Sequence, residues 1–336
     1  MSELFNKISE QFAKKRIVII GDLVADQFLH GTITRVSREA PVFILRHNET
    51  ETLPGSAANA AVNVAALGGD AILVGLIGDD PNGNALFEKL SQSKVECRFV
   101  VSDKNFQTTT KVRVLAGQHF APRQQVIRID YENAREISSE TIEKLKKNLF
   151  SAAVKADAII ISDYDYGVAS PQIIQAAREI SAARKIPLLV DSRFNLKNFA
   201  GATSATPNQD EVEQILGKNF TLDDCVKLRE TLKLESLLIT RGNDGMLLIE
   251  KNKLPVEFEA IGAREPIDVT GAGDTVIAAY ALGLASGLSF SEASKIANHA
   301  GGIVVMKKGT ASVNSAELLE SLAKNSKPAK RKGRAV

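Results

Sequence analysis

A glycine-rich turn leading into an apolar, helix-like stretch contains the residues best suited to chemistry. Gly271, Ala272 and Gly273 precede Asp274 there. Glycine permits close backbone approach, and the unpaired N–H groups at a helix start bind negative charge such as that on a transferring phosphoryl group. A carboxylate beside such an anion hole can accept the proton of an attacking hydroxyl. The alternative is that Asp274 only caps the helix.

Other polar clusters stand where predicted strands end. The apolar run 17–20 is followed at once by Gly21 and Asp22, which indicates a buried strand running into a turn. Ligands of parallel α/β sheets bind beyond the carboxyl ends of the strands, so these clusters mark the predicted site. The remaining clusters are Asp163-Tyr164, Asp191-Ser192-Arg193, Thr206-Pro207-Asn208 and Thr240-Arg241-Gly242.

An alternation of strands and helices must position these clusters. It predicts an α/β fold, with a mostly parallel sheet covered on both faces. Predicted strands lie at 17–20, 42–45, 71–77, 158–162, 188–191 and 237–240, and 245–250 is expected to pair antiparallel with 256–258. Predicted helices lie at 56–67, 81–90, from 139, and at 171–183, 209–216, 274–285, 291–304 and 315–323.

The pattern changes between residues 95 and 130. Three β-rich segments, 99–101, 109–115 and 125–129, follow one another without a long helix between them, which favours antiparallel pairing. We expect a small β lid built from about residues 23–46 and 97–130, separate from the main body. Sheet edges and apolar faces of such a lid favour a homodimer through it.

Composition excludes several protein classes. The 336 residues are 44% hydrophobic and 24% charged, as in globular proteins, and no apolar run is long enough for a membrane helix, so we expect a cytoplasmic protein. Cys97 and Cys225 are expected to be unpaired thiols. Net charge is +2, and five basic residues lie between 327 and 334, in a tail, 324–336, that we expect to be disordered. The remaining body has no electrostatic footprint for nucleic acid.

The run from Asp268 to Thr275 resembles the C-terminal signature of the ribokinase-like (PfkB) carbohydrate kinases, and the resemblance covers roughly residues 14–323. It implies a ribokinase-like three-layer α/β/α domain over residues 1–323 that uses ATP and Mg²⁺. It also implies that Asp274 is the catalytic base and that the amides of Gly271, Ala272 and Gly273 form the anion hole.

The resemblance assigns further roles in the second half of the chain. Asn208 to Glu211 resembles an Asn-x-x-Glu motif whose Glu helps to organise Mg²⁺ and its waters; by physics alone, Glu211 complements the helix dipole. The residues implied at the nucleotide are Asn208, Thr240, Gly242, Gly245 and Asn298. Asp268 and Thr270 lie where some relatives hold a monovalent cation such as K⁺. For Asn298, a satisfied polar residue on a helix is the alternative.

The first half of the chain supplies the implied acceptor site. In the family, residues matching Asp22, Asp26, Gly55 and Asn59 contact sugar hydroxyls. Turn chemistry together with a helix cap is the alternative explanation for these four residues.

Several segments narrow the resemblance to D-glycero-β-D-manno-heptose 7-phosphate kinases, which phosphorylate the 1-hydroxyl of a sugar phosphate. They are 35–42, 111–115, 123–130 and 162–164. Asp163 would then lie at the sugar, and Lys111, Arg113, Arg128 and Arg38 are candidates to bind the existing phosphate, since guanidinium groups bind phosphate bidentately. Exposed strand positions are the alternative for each cation.

Three departures separate the chain from that pattern. Ser56 replaces the second glycine of a Gly-Gly pair, Tyr166 replaces a lysine, and Ser192-Arg193 replaces Pro-Lys. A PfkB-family kinase acting on fructose, ribose, a nucleoside or another sugar phosphate is therefore an alternative, as is a non-catalytic sugar-binding regulatory protein. The turn after the first strand lacks Gly-x-Gly-x-x-Gly, which disfavours a dinucleotide oxidoreductase. We expect a stand-alone kinase, because the chain ends after a kinase-length region.

Overall fold

The main sheet of the computed structural model, which describes residues 2–118, 123–133, 136–263 and 265–324, contains nine strands within those ranges. Their order is β13-β12-β11-β10-β9-β8-β1-β4-β5. The strands are β1 Arg16–Gly21, β4 Asp70–Gly78, β5 Glu96–Asp103, β8 Ala158–Asp163, β9 Leu188–Ser192, β10 Ser204–Ala205, β11 Ser236–Thr240, β12 Met246–Glu250 and β13 Val256–Phe258. All neighbours are parallel except β11–β12 and β12–β13, which confirms the predicted antiparallel edge.

Helices cover both faces of this sheet, which confirms the predicted three-layer α/β/α class. They are α1 Ser2–Asn6, α2 Ala57–Ala66, α3 Pro81–Gln92, α4 Ser139–Ala152, α5 Pro171–Arg184, α6 Gln209–Leu216, α7 Leu222–Thr231, α8 Ala272–Ala285, α9 Phe290–Val304 and α10 Ser315–Lys324. One apolar core lies between the sheet and α2, α8, α9 and α10, and a second lies between the opposite face and α4, α5 and α7. Both faces are apolar because parallel strands such as β1 are buried on each side.

A second sheet, which we call the lid, stands apart from the main one. It has the order β3-β2-β6-β7, with β2 Leu23–Val36, β3 Phe43–Ser56, β6 Thr110–Gly117 and β7 Gln124–Tyr131. The pairs β2–β3 and β6–β7 are antiparallel as predicted, but β2 and β6 are parallel. Both of those strands leave the same edge of the parallel main sheet, so they run in the same direction.

The predicted extent of the lid needs a correction. The segment 99–101, expected in the lid, belongs to β5 and pairs in parallel with β4 of the main sheet. Helix α3 connects these two strands, and such a crossover brings the second strand back parallel to the first. The predicted strand 42–45 is also too short, since β3 continues to Ser56.

Three smaller expectations concern the cysteines, the tail and the membrane. Cys97 and Cys225 are both buried and unpaired, as predicted. The basic tail from residue 325 lies outside the described residues. No helix in the described ranges has the length and apolarity to cross a membrane.

Candidate active site

A cavity of about 690 Å³ opens beyond the carboxyl ends of the main-sheet strands. Its wall brings together the polar clusters that follow β8, β9, β10 and β11 with the turn before α8. Residues from these parts include Tyr164, Asp191, Asn208, Thr240 and Gly273. Its volume is typical of a small-molecule site. Four of the five polar clusters predicted to mark the site therefore contribute to one cavity at this edge of the sheet.

Helix α8 begins at Ala272, with Gly271 as its N-cap at φ 76°. A Cβ on Gly271 would lie 2.3 Å from Nδ2 of Asn59, so this turn requires glycine both for its left-handed backbone and for space. Gly271, Ala272 and Gly273 all line the cavity. The Ala272 amide donates to the carbonyl of Val269 at 3.2 Å, so this one of the three predicted anion-hole amides already has a partner.

Asp274 is the third residue of α8 and not its cap, so the capping alternative is wrong. It is 2% exposed. Asn59 Nδ2 donates to its Oδ2 at 2.8 Å, and the Tyr164 hydroxyl donates to its Oδ1 at 3.1 Å. Burial raises the pKa of Asp274 to about 7, while these two hydrogen bonds oppose the rise. Such a carboxylate can exchange protons near neutral pH.

The orientation of Asn59 is fixed by its neighbours. Asn63 Nδ2 donates to Asn59 Oδ1 at 3.1 Å, so the amide of Asn59 must direct Nδ2 toward Asp274. Asn63 Oδ1 in turn accepts a hydrogen bond from Thr275 Oγ1 at 3.0 Å. Asn59 Nδ2 therefore donates to Asp274 Oδ2 and, at 3.4 Å, to the Gly271 carbonyl, at the position where a sugar contact was expected.

Asp22 holds a loop in place. Its carboxylate accepts hydrogen bonds from the backbone amides of Tyr164, Tyr166 and Val168, at 2.8, 3.1 and 3.1 Å. Asp22 is 1% exposed, and burial raises its pKa to about 6. This differs from the predicted sugar contact: both oxygens fix the loop that follows β8. Asp163 also has a structural contact: its carboxylate accepts a hydrogen bond from Ser192 Oγ at 2.7 Å, which joins β8 to β9.

The predicted phosphate-binding cations lie together on one face of the lid. The register places Arg113 opposite Arg128 and Lys111 opposite Asp130. Each cation has a carboxylate partner: Arg128 Nε lies 2.9 Å from Asp130, Lys111 lies 3.6 Å from Asp130, and Arg113 is paired with the buried Asp26. The structure thus brings three of the four predicted cations to one surface.

Two other predicted residues of this half have simpler surroundings. A Cβ on Gly55 would lie 2.5 Å from Oδ2 of Asp26, so glycine is needed for the lid strand to pass this side chain. Arg38 lies in the turn between β2 and β3, is exposed, and is not part of the cation cluster.

The departure at Tyr166 has a structural counterpart. Lys111 Nζ donates to the Tyr166 hydroxyl at 2.7 Å, and that hydroxyl donates to Glu132 at 3.0 Å. The hydroxyl therefore joins the loop after β8 to the lid. Burial and Glu132 raise the pKa of Tyr166, so it stays protonated at neutral pH.

Asn208 and Glu211 form a capping box at the start of α6. Asn208 Oδ1 accepts from the Glu211 amide at 2.9 Å, and Glu211 Oε2 accepts from the Asn208 amide at 2.9 Å. This arrangement agrees with a helix-start role for Glu211.

Asp191, which the sequence places in one of the polar clusters without a role of its own, lines the same cavity. Its carboxylate makes no hydrogen bond to the described part of the chain. Burial raises its pKa well above the usual range, and the charges of Glu211 and Asp274 raise it further. A carboxylate without a donor in the described part of the chain, next to a second carboxylate whose charge raises its pKa, fits a hard divalent cation such as Mg²⁺. The signal was available, because Asp191 ends a predicted strand.

Other predicted nucleotide residues line the cavity as well. Gly242 and Gly245 have positive φ, and a Cβ on Gly245 would lie 1.9 Å from the Phe258 carbonyl oxygen. Thr240 and Asn298 are also in the wall. Asn298 Nδ2 donates to the Glu259 carbonyl at 2.7 Å, which fits the satisfied-polar alternative and fixes the direction of its amide.

At the predicted monovalent-cation site, the Asp268 carboxylate binds backbone amides. Asp268 Oδ1 accepts from the Thr270 amide at 3.0 Å, and Asp268 Oδ2 accepts from the Gly309 amide at 2.9 Å. Both oxygens thus stabilise the turn before α8. No cluster of three acidic, histidine or cysteine residues suited to a metal occurs among the described residues.

Comparison with known proteins agrees with this arrangement. Residues 14–317 match the model of the pfkB family carbohydrate kinases. The bifunctional protein HldE of Koribacter versatilis is 38% identical over 334 residues, covering 98% of this chain and 67% of that protein. The bifunctional protein HldE of Aeromonas salmonicida is 40% identical over 320 residues, covering 93% and 64%. The chain spans about two thirds of the length of these relatives.

Solved structures share the fold at low sequence identity. A structure of Arabidopsis thaliana ribokinase complexed with ribose and ATP has a TM-score of 0.70 at 21% identity, covering 92% of this chain and 98% of that one. Phosphofructokinase-2 from Escherichia coli in complex with potassium has a TM-score of 0.74 at 17% identity, covering 93% and 99%.

Proposed function

This chain belongs to the pfkB family of carbohydrate kinases, and we propose that it transfers the γ-phosphoryl group of ATP to O1 of D-glycero-D-manno-heptose 7-phosphate. The observation that carries the proposal is the position of Asp274. Its buried carboxylate lies in the first turn of α8, directly after Gly271, Ala272 and Gly273, which line a cavity large enough for a nucleotide.

The chemistry follows from this placement. The Asp274 carboxylate takes the proton of the sugar 1-hydroxyl as O1 attacks the γ-phosphorus of ATP, and the bond to the β-phosphate oxygen breaks to release ADP. The amides and dipole at the start of α8 offset the negative charge of the transferring group. Burial raises the pKa of Asp274 to about 7, so the carboxylate is basic enough to hold this proton at neutral pH.

Asp191 and Glu211 are the residues that would hold Mg²⁺, directly or through water. Bound Mg²⁺ neutralises phosphate charge. The carboxylates themselves do not take part in proton transfer in this account, because Asp274 holds the base position.

The heptose phosphate is supported by the lid. The family-like segments 111–115 and 123–130 supply Lys111, Arg113 and Arg128 to one surface, where an existing phosphate would compete with Asp26 and Asp130 for the guanidinium groups. Another sugar of the same family is the alternative, favoured by the replacement of lysine with Tyr166.

We also propose that two copies associate through the lid. Ile127 and Ile129 alternate along β7 with Arg128 and Asp130, so they lie on the face opposite the cations. They are 54% and 42% exposed, on an edge strand that offers unpaired backbone groups.

The test of function is ADP release with ATP and Mg²⁺, measured for D-glycero-D-manno-heptose 7-phosphate, fructose 6-phosphate, fructose, ribose and adenosine. The proposal predicts the highest kcat/KM for the heptose phosphate. A preference for an unphosphorylated sugar would agree with a sugar kinase but reject the heptose phosphate as its substrate. Absence of turnover with any acceptor would favour a non-catalytic sugar-binding protein.

A further inference from the structure

We propose that Tyr164 is a positioning residue for the base: its hydroxyl donates a hydrogen bond to Oδ1 of Asp274 and keeps that carboxylate fixed and ionised for the acceptor hydroxyl. The inference rests on the proposed role of Asp274. It concerns a residue that the sequence places only in a cluster after a strand, with no role of its own.

The geometry limits how the Asp274 carboxylate can turn. Tyr164 binds Oδ1 at 3.1 Å and Asn59 binds Oδ2 at 2.8 Å, so one donor holds each oxygen. A carboxylate held at both oxygens cannot rotate without losing a hydrogen bond to a charged group. Each oxygen still has a lone pair for the hydroxyl of the sugar.

The Tyr164 side chain is itself held in place. The Asp22 carboxylate binds the backbone amides of Tyr164, Tyr166 and Val168, and this anchors the loop that carries the phenol. Burial raises the pKa of Tyr164 well above its ordinary value, with Asp274 and Asp191 adding to the rise, so the phenol is a donor throughout the working pH range.

The charged surroundings make this hydrogen bond matter. Burial and the negative charge of Asp26 both favour the neutral form of Asp274. The carboxylates of Asp191 and Asp274 also repel one another when both are charged. The charge of Glu211 raises the pKa of Tyr164 and so favours its protonated form. Against these acids, Tyr164 and Asn59 are the two side chains whose hydrogen bonds lower the pKa of Asp274.

The experiment is the pH profile of kcat/KM for the sugar with Tyr164→Phe. Loss of the hydroxyl leaves Asp274 protonated to a higher pH, so the midpoint of the acidic limb should move up by about one pH unit. Activity should then fall about tenfold below pH 7 and recover most of its value near pH 9. If Tyr164 had a purely structural role, Tyr164→Phe would lower activity at every pH and leave the midpoint in place. That result would overturn the proposal.

Tyr280→Phe is the matched control. Tyr280 lies on α8, as Asp274 does, and its buried hydroxyl is 3.0 Å from Ser236 Oγ and not bonded to Asp274. Its removal should leave the midpoint unchanged. An equal shift in this variant would show that any buried phenol on this core moves the profile, and would contradict the specific role of Tyr164.

A second variant covers the case in which Tyr164→Phe does not fold. Tyr164→3-fluorotyrosine keeps the shape and makes the hydroxyl a stronger donor, so the midpoint should move down, opposite to the effect of phenylalanine. An unchanged or raised midpoint would count against the proposal. Asp274→Asn distinguishes failure of the base assignment from failure of the role of Tyr164. If that variant keeps the activity and the acidic limb of the unsubstituted chain, the assignment of Asp274 as the base fails. If it loses activity while Tyr164→Phe leaves the midpoint in place, only the role of Tyr164 fails.

Discussion

Asn59 Nδ2 lies 2.8 Å from Asp274 Oδ2, and this contact joins α2 to α8 across 215 residues of sequence. Helix α2, which follows the lid strand β3, therefore meets the helix that begins at the glycine-rich turn. Because the Gly271 turn has no room for a Cβ beside Asn59, the base, its partner and the candidate anion hole form one packed unit.

We expect the rate to depend on pH through Asp274. Burial raises the pKa of this carboxyl to about 7, so it is protonated below that pH and cannot accept the hydroxyl proton. The value of kcat/KM for the sugar should fall about tenfold per pH unit below a midpoint near 7. ATP and sugar-phosphate binding measured over the same range would separate the base from titration of the phosphates. A midpoint near 4, the value of an exposed carboxyl, would contradict the assignment.

The alternation of strands and helices allowed most of the main body to be predicted from sequence. The glycine-rich turn could be predicted as the start of a helix, and the role expected for Asp274 came from the resemblance of residues 268–275 to the family signature. Helix α7 was missed, although Thr221 and Asp224 form a capping box at its start. Its apolar face is short, so periodicity gives little signal there.

Tertiary contacts explain the remaining differences. The place of β5 in the main sheet depends on its crossover from β4, which a short apolar run does not reveal. The partners of Asp22 are three amides from a loop more than 140 residues away, so its role could not be derived from its local turn. Tyr164 was visible as a residue after a strand, but its bond to Asp274 depends on that same loop.

Metal dependence should identify the Mg²⁺ ligands. Glu211→Gln and Asp191→Asn should each raise the Mg²⁺ concentration for half-maximal activity by about tenfold or more, as loss of a carboxylate in or next to a metal shell commonly does. Glu213→Gln, on the same helix α6 but not in the cavity wall, is the control. The same Mg²⁺ requirement in all three variants would remove Asp191 and Glu211 from the metal site.

Substrate phosphate recognition should depend on the lid. Arg128→Gln should raise KM for the sugar phosphate by about tenfold, the size expected for a lost charge-assisted hydrogen bond, with KM for ATP unchanged. Arg123→Gln removes a lid arginine that pairs with Glu49, away from the cation cluster, and should leave both KM values near those of the unsubstituted chain. Equal effects of the two substitutions would indicate a general charge effect and no specific phosphate contact.

Association through the lid should depend on its apolar outer face. Ile127→Asp and Ile129→Asp place charges where two copies would bury apolar side chains, so light scattering should show a shift from dimer to monomer. Leu254→Asp, at a residue 86% exposed between β12 and β13, should leave the dimer intact. A monomeric unsubstituted protein at micromolar concentration would exclude the proposed dimer.

The most direct test of the account is the turnover of Asp274→Asn compared with its affinity for ATP. The exchange keeps the size of the side chain but removes the base, so kcat should fall by at least about 10²-fold. The ATP dissociation constant, measured by calorimetry, should stay within about twofold, because the residues proposed to bind the nucleotide, Asn208, Thr240, Gly242, Gly245 and Asn298, lie outside α8. A variant that retains near-full turnover would contradict the assignment of Asp274 as the base.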